Sequence, residues 1–332
     1  MHPLNPSNTC TFAGHMYTVL ITGGTGMIGT ALSRRLLNEG YNVIILSRNP
    51  KETAASHSLG AERNFFRSSG NLFYSKWDVK RMSIDPTALA EADFIIHLAG
   101  AGVAAQRWSE ARKREILESR TRSSELLLKA LKEQPNKVKA VISASAIGFY
   151  GPDKGTPFTE EDTSANDFLG TTCQHWEQSI DPVSALNKRL VKMRLGIVLA
   201  NEGGALKEFK KPLRMGVAAI LGNGNQMVSW VHIDDICRAF IHAMEQETMQ
   251  GVFNLTAPSP VSNRNLTLTL ARNVNGSLFI PLKVPSFVLK AILGEMSIEV
   301  LKSATVSSRK IQAAGFQFQY PDIDQALTHL SN

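Results

Sequence analysis

The chain has 332 residues, of which 43% are hydrophobic and 20% are charged, and its formal net charge is +7. This composition is typical of a soluble globular protein. The length allows one large α/β domain or a nucleotide-binding domain with a smaller lobe. No apolar run approaches the roughly 20 residues that a membrane-spanning helix needs, so we expect no membrane partner. The moderate positive charge suits anionic ligands such as nucleotides and does not require a nucleic acid.

Three cysteines, Cys10, Cys173 and Cys237, lie far apart in the sequence. They form neither a C-x-x-C pair nor a His/Cys cluster, which argues against a disulfide framework and against a metal site. This cysteine usage favours a cytoplasmic location. Residues 1–15 lack the basic region and long apolar core of a secretory signal, so we predict a disordered extension there.

Short apolar runs rich in β-branched residues predict strands at Val19–Ile21, Val43–Leu46, Phe94–Leu98, Val138–Ser143, Leu190–Leu199 and Val252–Leu255. Helical patterns lie between them, notably at 29–38, 110–132 and 167–180. Strands that alternate with helices indicate a parallel sheet with helices on both faces.

We therefore predict an α/β fold, a Rossmann-type doubly wound parallel sheet over residues 16–200 that a strand near 252–256 completes. From 201 to 332, glycine and proline punctuate shorter elements. They predict a smaller C-terminal substrate lobe and an extension with helices at Pro285–Leu293 and 322–330.

The most informative motif is Thr22-Gly-Gly-Thr-Gly-Met-Ile-Gly29, which follows a predicted strand and precedes a predicted helix. Glycines permit a tight turn and close backbone approach, and a helix N-terminus offers unpaired N–H groups to a pyrophosphate. A glycine pattern alone is a weak signal, so the flanking strand and helix carry the prediction of a dinucleotide site. Its predicted contacts are Gly23, Thr25, Gly26, Met27, Ile28 and Gly29.

The second predicted strand ends in Ser47-Arg48 and contains no acidic residue at that end. In dinucleotide-binding folds an acidic residue there binds the ribose hydroxyls and repels a 2′-phosphate, whereas an arginine favours the phosphate. Ser47 and Arg48 therefore predict NADP(H) as the cofactor. The alternative is an arginine in a solvated loop with no ligand.

Four motifs together resemble those of extended short-chain dehydrogenases/reductases of the NAD-dependent epimerase/dehydratase family: Thr22–Gly29, His97–Gly100, Ser143–Gly151 and Trp230–Asp235. More closely, the chain is similar to a poorly characterised epimerase-like subgroup. That similarity lies in Arg107–Arg120, in Asn254–Pro258 and in a C-terminal extension that ends at Ala314–Pro321. The resemblance runs from about Met16 to about Leu327.

This resemblance implies further cofactor contacts. They are Asp78 near the adenine, Leu98, Ala99 and Gly100 at the strand end on the adenine-ribose side, Glu115 and Arg120 on the helix behind the cofactor, and Val198 under the nicotinamide end. Arg120 would supply a fixed cation for phosphate, and Glu115 would orient it. The alternative is a plain surface helix with i,i+4 ion pairs, each worth only ~0.2–0.5 kcal/mol.

Enzymes of this class use a Tyr-x-x-x-Lys pair on one helix face, where the lysine lowers the pKa of the tyrosine. Tyr150 has a lysine four residues later, Lys154, but the intervening Gly-Pro-Asp predicts a turn. By the resemblance, Leu169 stands where that tyrosine belongs and Cys173 where the lysine belongs. Neither side chain can perform that proton chemistry.

Ser145 and Tyr150 remain near the expected reaction centre and are the predicted catalytic residues, with packing or backbone hydrogen bonding as the alternative role for each. In Trp230–Asp235 we expect Asp234 or Asp235 to cap a helix and His232 to be structural.

Two functions stay open at this point. The first is an NADP(H)-dependent oxidoreductase or epimerase that acts on a small or sugar-like molecule with a non-standard acid. The second is a catalytically inactive NADPH-binding protein that regulates a partner. The family resemblance also implies a homodimer through the helices at 110–132 and 167–180.

Overall fold

The computed structural model of the chain describes residues 17–51 and 70–331. The extension predicted at 1–15 lies outside the described residues. The strands are β1 (Thr18–Thr22), β2 (Asn42–Ser47), β3 (Leu72–Asp78), β4 (Ser83–Ile84), β5 (Phe94–His97), β6 (Ala140–Ala146), β7 (Arg189–Leu195), β8 (Ile197–Ala200), β9 (Val217–Leu221), β10 (Met227–Val228), β11 (Trp230–His232), β12 (Gly251–Leu255), β13 (Val261–Ser262) and β14 (Ile280–Val284).

The described α-helices are α1 (Met27–Asn38), α2 (Pro86–Glu91), α3 (Glu110–Glu133), α4 (Phe168–Ile180), α5 (Gly204–Leu213), α6 (Ile233–Glu245), α7 (Asn263–Asn275), α8 (Ser286–Leu293), α9 (Ser297–Leu301), α10 (Arg309–Ala313) and α11 (Ile323–His329). Ser109 and Asp167 begin the two long helices α3 and α4, because their side chains accept hydrogen bonds from the backbone N–H of Arg112 and Gly170.

Eight strands form one sheet in the order β12-β7-β6-β5-β1-β2-β3-β4, and only the short edge strand β4 pairs antiparallel. The chain crosses from β3 back to β5 on the other side of β1. The strand order therefore reverses at β1. The carboxyl ends of β1 and β5 border the crevice where doubly wound sheets bind ligands.

Helices cover both faces of the sheet. Leu32 and Leu36 of α1 and Phe240 of α6 share one core with one face, while Leu126 and Leu127 of α3 belong to a core on the other. The predicted Rossmann-type doubly wound sheet is confirmed. The central strands β1, β2 and β5 carry continuous apolar runs because both of their faces are buried.

The apolar run predicted as one strand at Leu190–Leu199 is instead two strands, β7 and β8. The break is at Gly196, where a Cβ atom would lie 2.8 Å from the Ser229 carbonyl oxygen. Gly196 donates its N–H to Leu255, and Ile197 donates to Ser229. Beyond this point β8 leaves the main sheet and pairs with β11. A hydrophobic run does not reveal such a change of partner.

The C-terminal lobe contains short sheets, namely β9 with β14 and β10 with β13. Trp230, Leu266, Leu270 and Leu327 belong to its own buried core. This core joins β11 and α7 to the last helix, α11, so the C-terminal extension packs as part of the lobe.

The prediction that Asp234 or Asp235 caps α6 is wrong. His232 is the cap, since its Nδ1 accepts a hydrogen bond from the Asp234 backbone N–H at 3.0 Å. The buried Asp235 carboxylate accepts instead from the backbone N–H groups of Gln319 and Tyr320, at 2.7 and 2.9 Å. Asp235 therefore fastens the C-terminal extension to α6.

Candidate active site at the carboxyl edge of the sheet

The turn between β1 and α1 is held against the loop that follows β5. Gly23 has a φ of +69°, and a Cβ atom there would lie 2.8 Å from the carbonyl carbon of Leu98. At Gly29 a Cβ would collide with the Gly23 carbonyl. Glycine at these two positions is therefore what lets the turn fold tightly beside Leu98 and Ala99.

Helix α1 begins without a side-chain cap. Gly26 is its N-cap residue and offers no hydrogen-bonding side chain, and Thr25 and Gly26 are exposed. The first N–H groups of α1 beyond Gly26 thus receive no hydrogen bond from an N-cap side chain. An uncapped N-terminus in a glycine turn at the crevice suits a pyrophosphate.

A buried hydrogen-bond chain fixes the loop that faces this turn. Thr22 Oγ1 accepts from the N–H groups of Leu98 and Ala99 and lies 2.7 Å from His97 Nδ1. The other ring nitrogen, Nε2, is 3.1 Å from Ser124 Oγ on α3. Burial lowers the pKa of His97 to about 3. The neutral ring therefore ties β1, β5 and α3 together at the crevice.

Helix α3 holds the next residues of the same loop. Ser119 Oγ accepts from the Ala101 N–H at 2.9 Å, and Arg120 Nη1 donates to the Ala101 carbonyl at 3.1 Å. Arg112 Nη2 donates to the Gly102 carbonyl at 2.5 Å. We call this set, Arg112, Ser119 and Arg120, the loop clamp.

Gly100 lies directly on Arg120, because a Cβ atom at position 100 would be 3.1 Å from the guanidinium carbon. The guanidinium is buried, stands 5.0 Å from the Trp176 ring centroid and also donates to the Ile116 carbonyl. The Arg120 guanidinium thus packs against Gly100, and its Nη1 donates to the backbone carbonyls of Ala101 and Ile116. Glu115 is exposed and pairs with Arg112 at 2.6 Å.

On the opposite side of β1, Ser47 is the last residue of β2 and Arg48 follows it. Arg48 is exposed, and Ser47 Oγ accepts from the Asn49 N–H at 3.2 Å. Asp78 ends β3, where its carboxylate accepts from the N–H groups of Lys80 and Arg81. These hydrogen bonds lower the pKa of Asp78.

A glycine turn of the C-terminal lobe reaches the start of α1. A Cβ atom on Gly204 would lie 3.2 Å from Met27 Cε and 3.4 Å from the Val198 carbonyl oxygen. Met27, Val198 and Gly204 are therefore brought together at the crevice. Ile28, one residue after Met27, is half-buried and packs against the core that includes Leu32 and Phe240.

Ser145 and Tyr150 belong to a buried polar network. Ser145 Oγ donates to Glu177 Oε1 at 2.7 Å, and Arg194 makes two hydrogen bonds to the same carboxylate, at 2.7 and 2.9 Å. Arg194 also donates to the Tyr150 hydroxyl, which donates to Asn254 Oδ1 at 2.7 Å. Both hydroxyl protons point into this network.

Burial raises the pKa of Tyr150 to about 12, although the neighbouring Arg194 guanidinium acts in the opposite direction. The phenol is therefore protonated at neutral pH. Lys154, the lysine four residues later, lies outside any helix and ion-pairs with Asp162. Tyr150 and Lys154 do not form the family's proton relay.

Leu169 and Cys173 flank Gly148, which follows the strand that carries Ser145. A Cβ atom at position 148 would lie 3.3 Å from Leu169 Cβ and 3.8 Å from Cys173 Sγ. Burial raises the pKa of the Cys173 thiol to about 12. The face expected to hold the tyrosine and lysine therefore presents leucine and an un-ionised thiol.

The sequence reasoning missed Arg112, Glu177 and Arg194, which hold the predicted residues in place. One signal was available: Lys192 and Arg194 interrupt the apolar run of β7. Basic residues inside a buried strand require acidic partners. Glu177 on α4 is that partner.

His232, Asp234 and His329 could each offer one ligand atom to a metal within 4.8 Å of one another. His232 Nδ1 is already occupied by the Asp234 N–H, and its Nε2 lies 3.2 Å from His329 Nδ1. Burial lowers the pKa of His232 to about 3. Both ring nitrogens of His232 thus have partners within the chain, as a structural role requires.

None of the helices in residues 17–51 and 70–331 combines the length and apolar character needed to cross a bilayer.

Residues 19–174 match the family model described as NAD dependent epimerase/dehydratase family. Residues 284–330 match a domain of unknown function, DUF1731.

The curated relatives extend this match along the chain. Epimerase family protein SSP1921 of Staphylococcus saprophyticus is 34% identical over 94% of this chain and 98% of its own length. Epimerase family protein YfhF of Bacillus subtilis is also 34% identical, over 94% and 97%. The chain belongs to the NAD-dependent epimerase/dehydratase family.

Among solved structures, this epimerase-family chain is similar to human epimerase family protein SDR39U1 (isoform 2), whose crystal structure was determined with NADPH. The TM-score is 0.78 with 29% identity, over 95% of this chain and 99% of the human one. The chain is thus an epimerase-like protein of a family that binds nicotinamide cofactors.

Proposed function

We propose that this protein binds NADP(H) and uses it as an oxidoreductase or epimerase on a small or sugar-like substrate. The observation that carries the proposal is the uncapped glycine turn at the start of α1, with the exposed Arg48 at the end of the neighbouring strand. The first suits the pyrophosphate and the second a 2′-phosphate. The similarity to a human protein crystallised with NADPH supports this choice.

The proposed reaction does not use the family's usual general acid, the tyrosine of the Tyr-x-x-x-Lys pair. Leu169 and Cys173 cannot replace a tyrosine and a lysine, so a substrate oxygen would have to obtain its proton from another group. Ser145 and Tyr150 stay the predicted candidates, and each would have to exchange its inward hydrogen bond for one to the substrate.

We propose a cytoplasmic location, which two buried free cysteines, Cys173 and Cys237, support.

A second candidate is an NADPH-loaded regulatory protein without turnover. It is favoured by the inward direction of the Ser145 and Tyr150 hydroxyls and by the apolar face at Leu169. Incubation with common nucleotide sugars tests the second candidate, which robust epimerisation would exclude, although we expect little epimerisation of any of them. Robust epimerisation of one would contradict our interpretation of Leu169 and Cys173.

Calorimetric titration with NADPH and NADH tests cofactor binding directly. We expect Arg48→Asp to lower the NADPH affinity relative to the NADH affinity by about tenfold or more, because a charge-assisted hydrogen bond to phosphate becomes a repulsion. The exposed Arg309 supplies a control with the same charge change, Arg309→Asp, which should leave the ratio unaltered.

An unchanged ratio in Arg48→Asp would contradict the assignment of Arg48 to the 2′-phosphate. Absence of any NADPH binding in the wild-type protein would contradict both candidate functions. The homodimer through α3 and α4 stays a prediction, which sedimentation equilibrium measures.

A further inference from the structure

Large exposed hydrophobic side chains concentrate in the C-terminal lobe. Ten of them occur among the described residues, and eight of these ten lie between positions 215 and 298. Four protrude most, with 78% exposure at Met215, 81% at Leu278, 71% at Ile280 and 73% at Phe287. Soluble proteins expose single apolar side chains routinely, but not a concentration of this kind.

Most of these side chains belong to β14, to α8 and to the residues that lead into β9 and β14. Ile280 donates its N–H to the Gly216 carbonyl at 2.8 Å, which places Met215 beside the start of β14. Pro285 then connects β14 directly to α8, a helix of which only Leu289 is buried. We define the apolar patch as Met215, Leu278, Ile280, Leu282, Phe287 and Ile292.

The outer edge of β14 is closed to strand addition. Ile280 donates to Gly216, the residue before β9, and Val284 accepts from Gly222, the residue after β9, so both direct these backbone groups toward β9. The alternating residues Pro281 and Lys283 direct theirs to the outer edge. Proline has no N–H, and proline and lysine are the residues that protect edge strands. An extended peptide is therefore not the occupant of this patch.

Within the two chain segments that carry the apolar patch, every charged residue is basic. Residues 209–233 and 248–294 contain no Asp or Glu, but seven basic residues: Lys210, Lys211, Arg214, Arg264, Arg272, Lys283 and Lys290. Arg214, Lys283 and Lys290 are exposed and lie beside patch residues in the chain. The acidic residues that follow are engaged, since Glu295 pairs with Lys113 and Glu299 with Lys302. These basic residues would attract an anionic partner to the apolar patch.

We propose that the apolar patch docks this protein on the surface of an anionic lipid bilayer. A bilayer accepts protruding aliphatic and phenyl groups without a complementary shape, and its anionic headgroups bind the flanking lysines and arginines. The sequence alone predicts no membrane partner because no segment is long enough to span. Docking at the surface needs only the patch and its cations.

The test uses the full-length protein and sedimentation with vesicles of phosphatidylcholine, with or without phosphatidylserine. We expect the protein to sediment with the phosphatidylserine vesicles alone and to be released by added salt, which screens the headgroup attraction. The double substitution Leu278→Ser and Ile280→Ser should lower the partition coefficient about tenfold or more. Two apolar side chains that would move from water into the bilayer are then missing. Lys283→Glu should lower the partition coefficient as well.

Phe73→Ser is the matched control, since Phe73 is 52% exposed on β3, a strand of the main sheet and not of the β9–β14 sheet. It should partition as the wild type does. Thermal unfolding and NADPH titration verify that the variants are folded, and the vesicle result does not depend on cofactor binding.

Three outcomes would overturn the proposal. The first is no sedimentation of the wild type with phosphatidylserine vesicles. The second is an equal loss in Phe73→Ser and in the Leu278/Ile280 variant, which would indicate non-specific adhesion. The third is concentration-dependent self-association that the Leu278/Ile280 variant abolishes, which would assign the patch to a second copy of the chain.

Discussion

At the scale of single residues, the buried pair Glu177–Arg194 determines how the two predicted catalytic hydroxyls are held. The carboxylate accepts from Ser145 and from two nitrogens of Arg194, whose third polar contact is the Tyr150 hydroxyl. Two buried charges are tolerated only while they remain paired and hydrogen-bonded. Ser145 and Tyr150 are therefore linked to each other through this one ion pair.

Removing the charge of Glu177 should destabilise the whole protein. In Glu177→Gln the Arg194 guanidinium stays buried without its counter-ion, so we expect the free energy of unfolding to fall by about 3 kcal/mol or more. Urea denaturation measures this. Glu118→Gln, at an exposed position of α3, is the control and should change stability by less than about 0.5 kcal/mol. Equal effects would show that the ion pair does not contribute as described.

The sequence predicted Gly23, Gly29 and Arg48 because their roles depend on neighbours in the chain: a turn, a helix start and a strand end. Glu177 and Arg194 could not be predicted as a pair, since they are 17 residues apart on different elements. Only the tertiary packing of α4 on β7 brings such groups together. The same reason applies to Asp235, whose partners are 84 and 85 residues away.

At the scale of elements, α3 acts on the crevice through the loop clamp. The clamp holds the backbone at Ala101 and Gly102, which continues from β5 toward β6. In a doubly wound sheet the adenine half of a dinucleotide lies over β2, the side of Arg48, and the nicotinamide half over the opposite side. The clamp holds the residues that follow Leu98–Gly100, the strand end that the resemblance assigns to the adenine ribose, and we infer that it lies toward the nicotinamide half of the proposed cofactor.

Arg112→Lys should therefore weaken the binding of one half of the cofactor. A lysine cannot bond the Gly102 carbonyl and Glu115 in the same forked geometry, so we expect the NADPH affinity to fall about fivefold or more. Affinity for adenosine 2′,5′-bisphosphate, which lacks the nicotinamide half, should be unaltered. Calorimetric titration measures the affinity for each of the two ligands.

Arg114→Lys on the exposed side of the same helix is the matched control and should affect neither ligand. A parallel loss for NADPH and for the bisphosphate would mean that Arg112 supports the fold in general rather than the nicotinamide side.

The sequence located most elements of the main sheet, because apolar runs and helical periodicity are local signals. It did not reveal the division of Leu190–Leu199 at Gly196, which depends on the approach of Ser229 and Leu255 from elsewhere in the chain. The half-exposed strand β3 also had no apolar run to indicate it.

At the scale of the whole molecule, two buried histidines make stability depend on pH. Burial lowers the pKa of both His97 and His232 from 6.5 to about 3. Each ring is therefore neutral in the folded protein, while the unfolded chain takes up a proton at each below pH 6.5. Their contribution to stability is complete above pH 6.5 and is lost progressively as the pH falls toward 3.

Urea denaturation at a series of pH values tests this dependence. Below pH 6.5 we expect the free energy of unfolding to fall by about 1.4 kcal/mol per pH unit for each ring. His97→Gln should remove about half of this pH dependence of the free energy of unfolding. His175→Gln, at an exposed position, should leave the pH dependence unchanged. A flat profile between pH 6.5 and 5 would contradict the assignment of neutral, buried rings.

The Asp235 anchor also bears on how this chain can vary in evolution. The two matched segments, 19–174 and 284–330, are separate family models, yet the carboxylate of Asp235 depends on N–H groups at 319 and 320. A recombination that exchanged the last fifty or so residues would leave that buried carboxylate with Arg238, 3.0 Å away, but without two of its three donors, unless the incoming tail presented the same two N–H groups. The tail and the helix that holds it must therefore be inherited together.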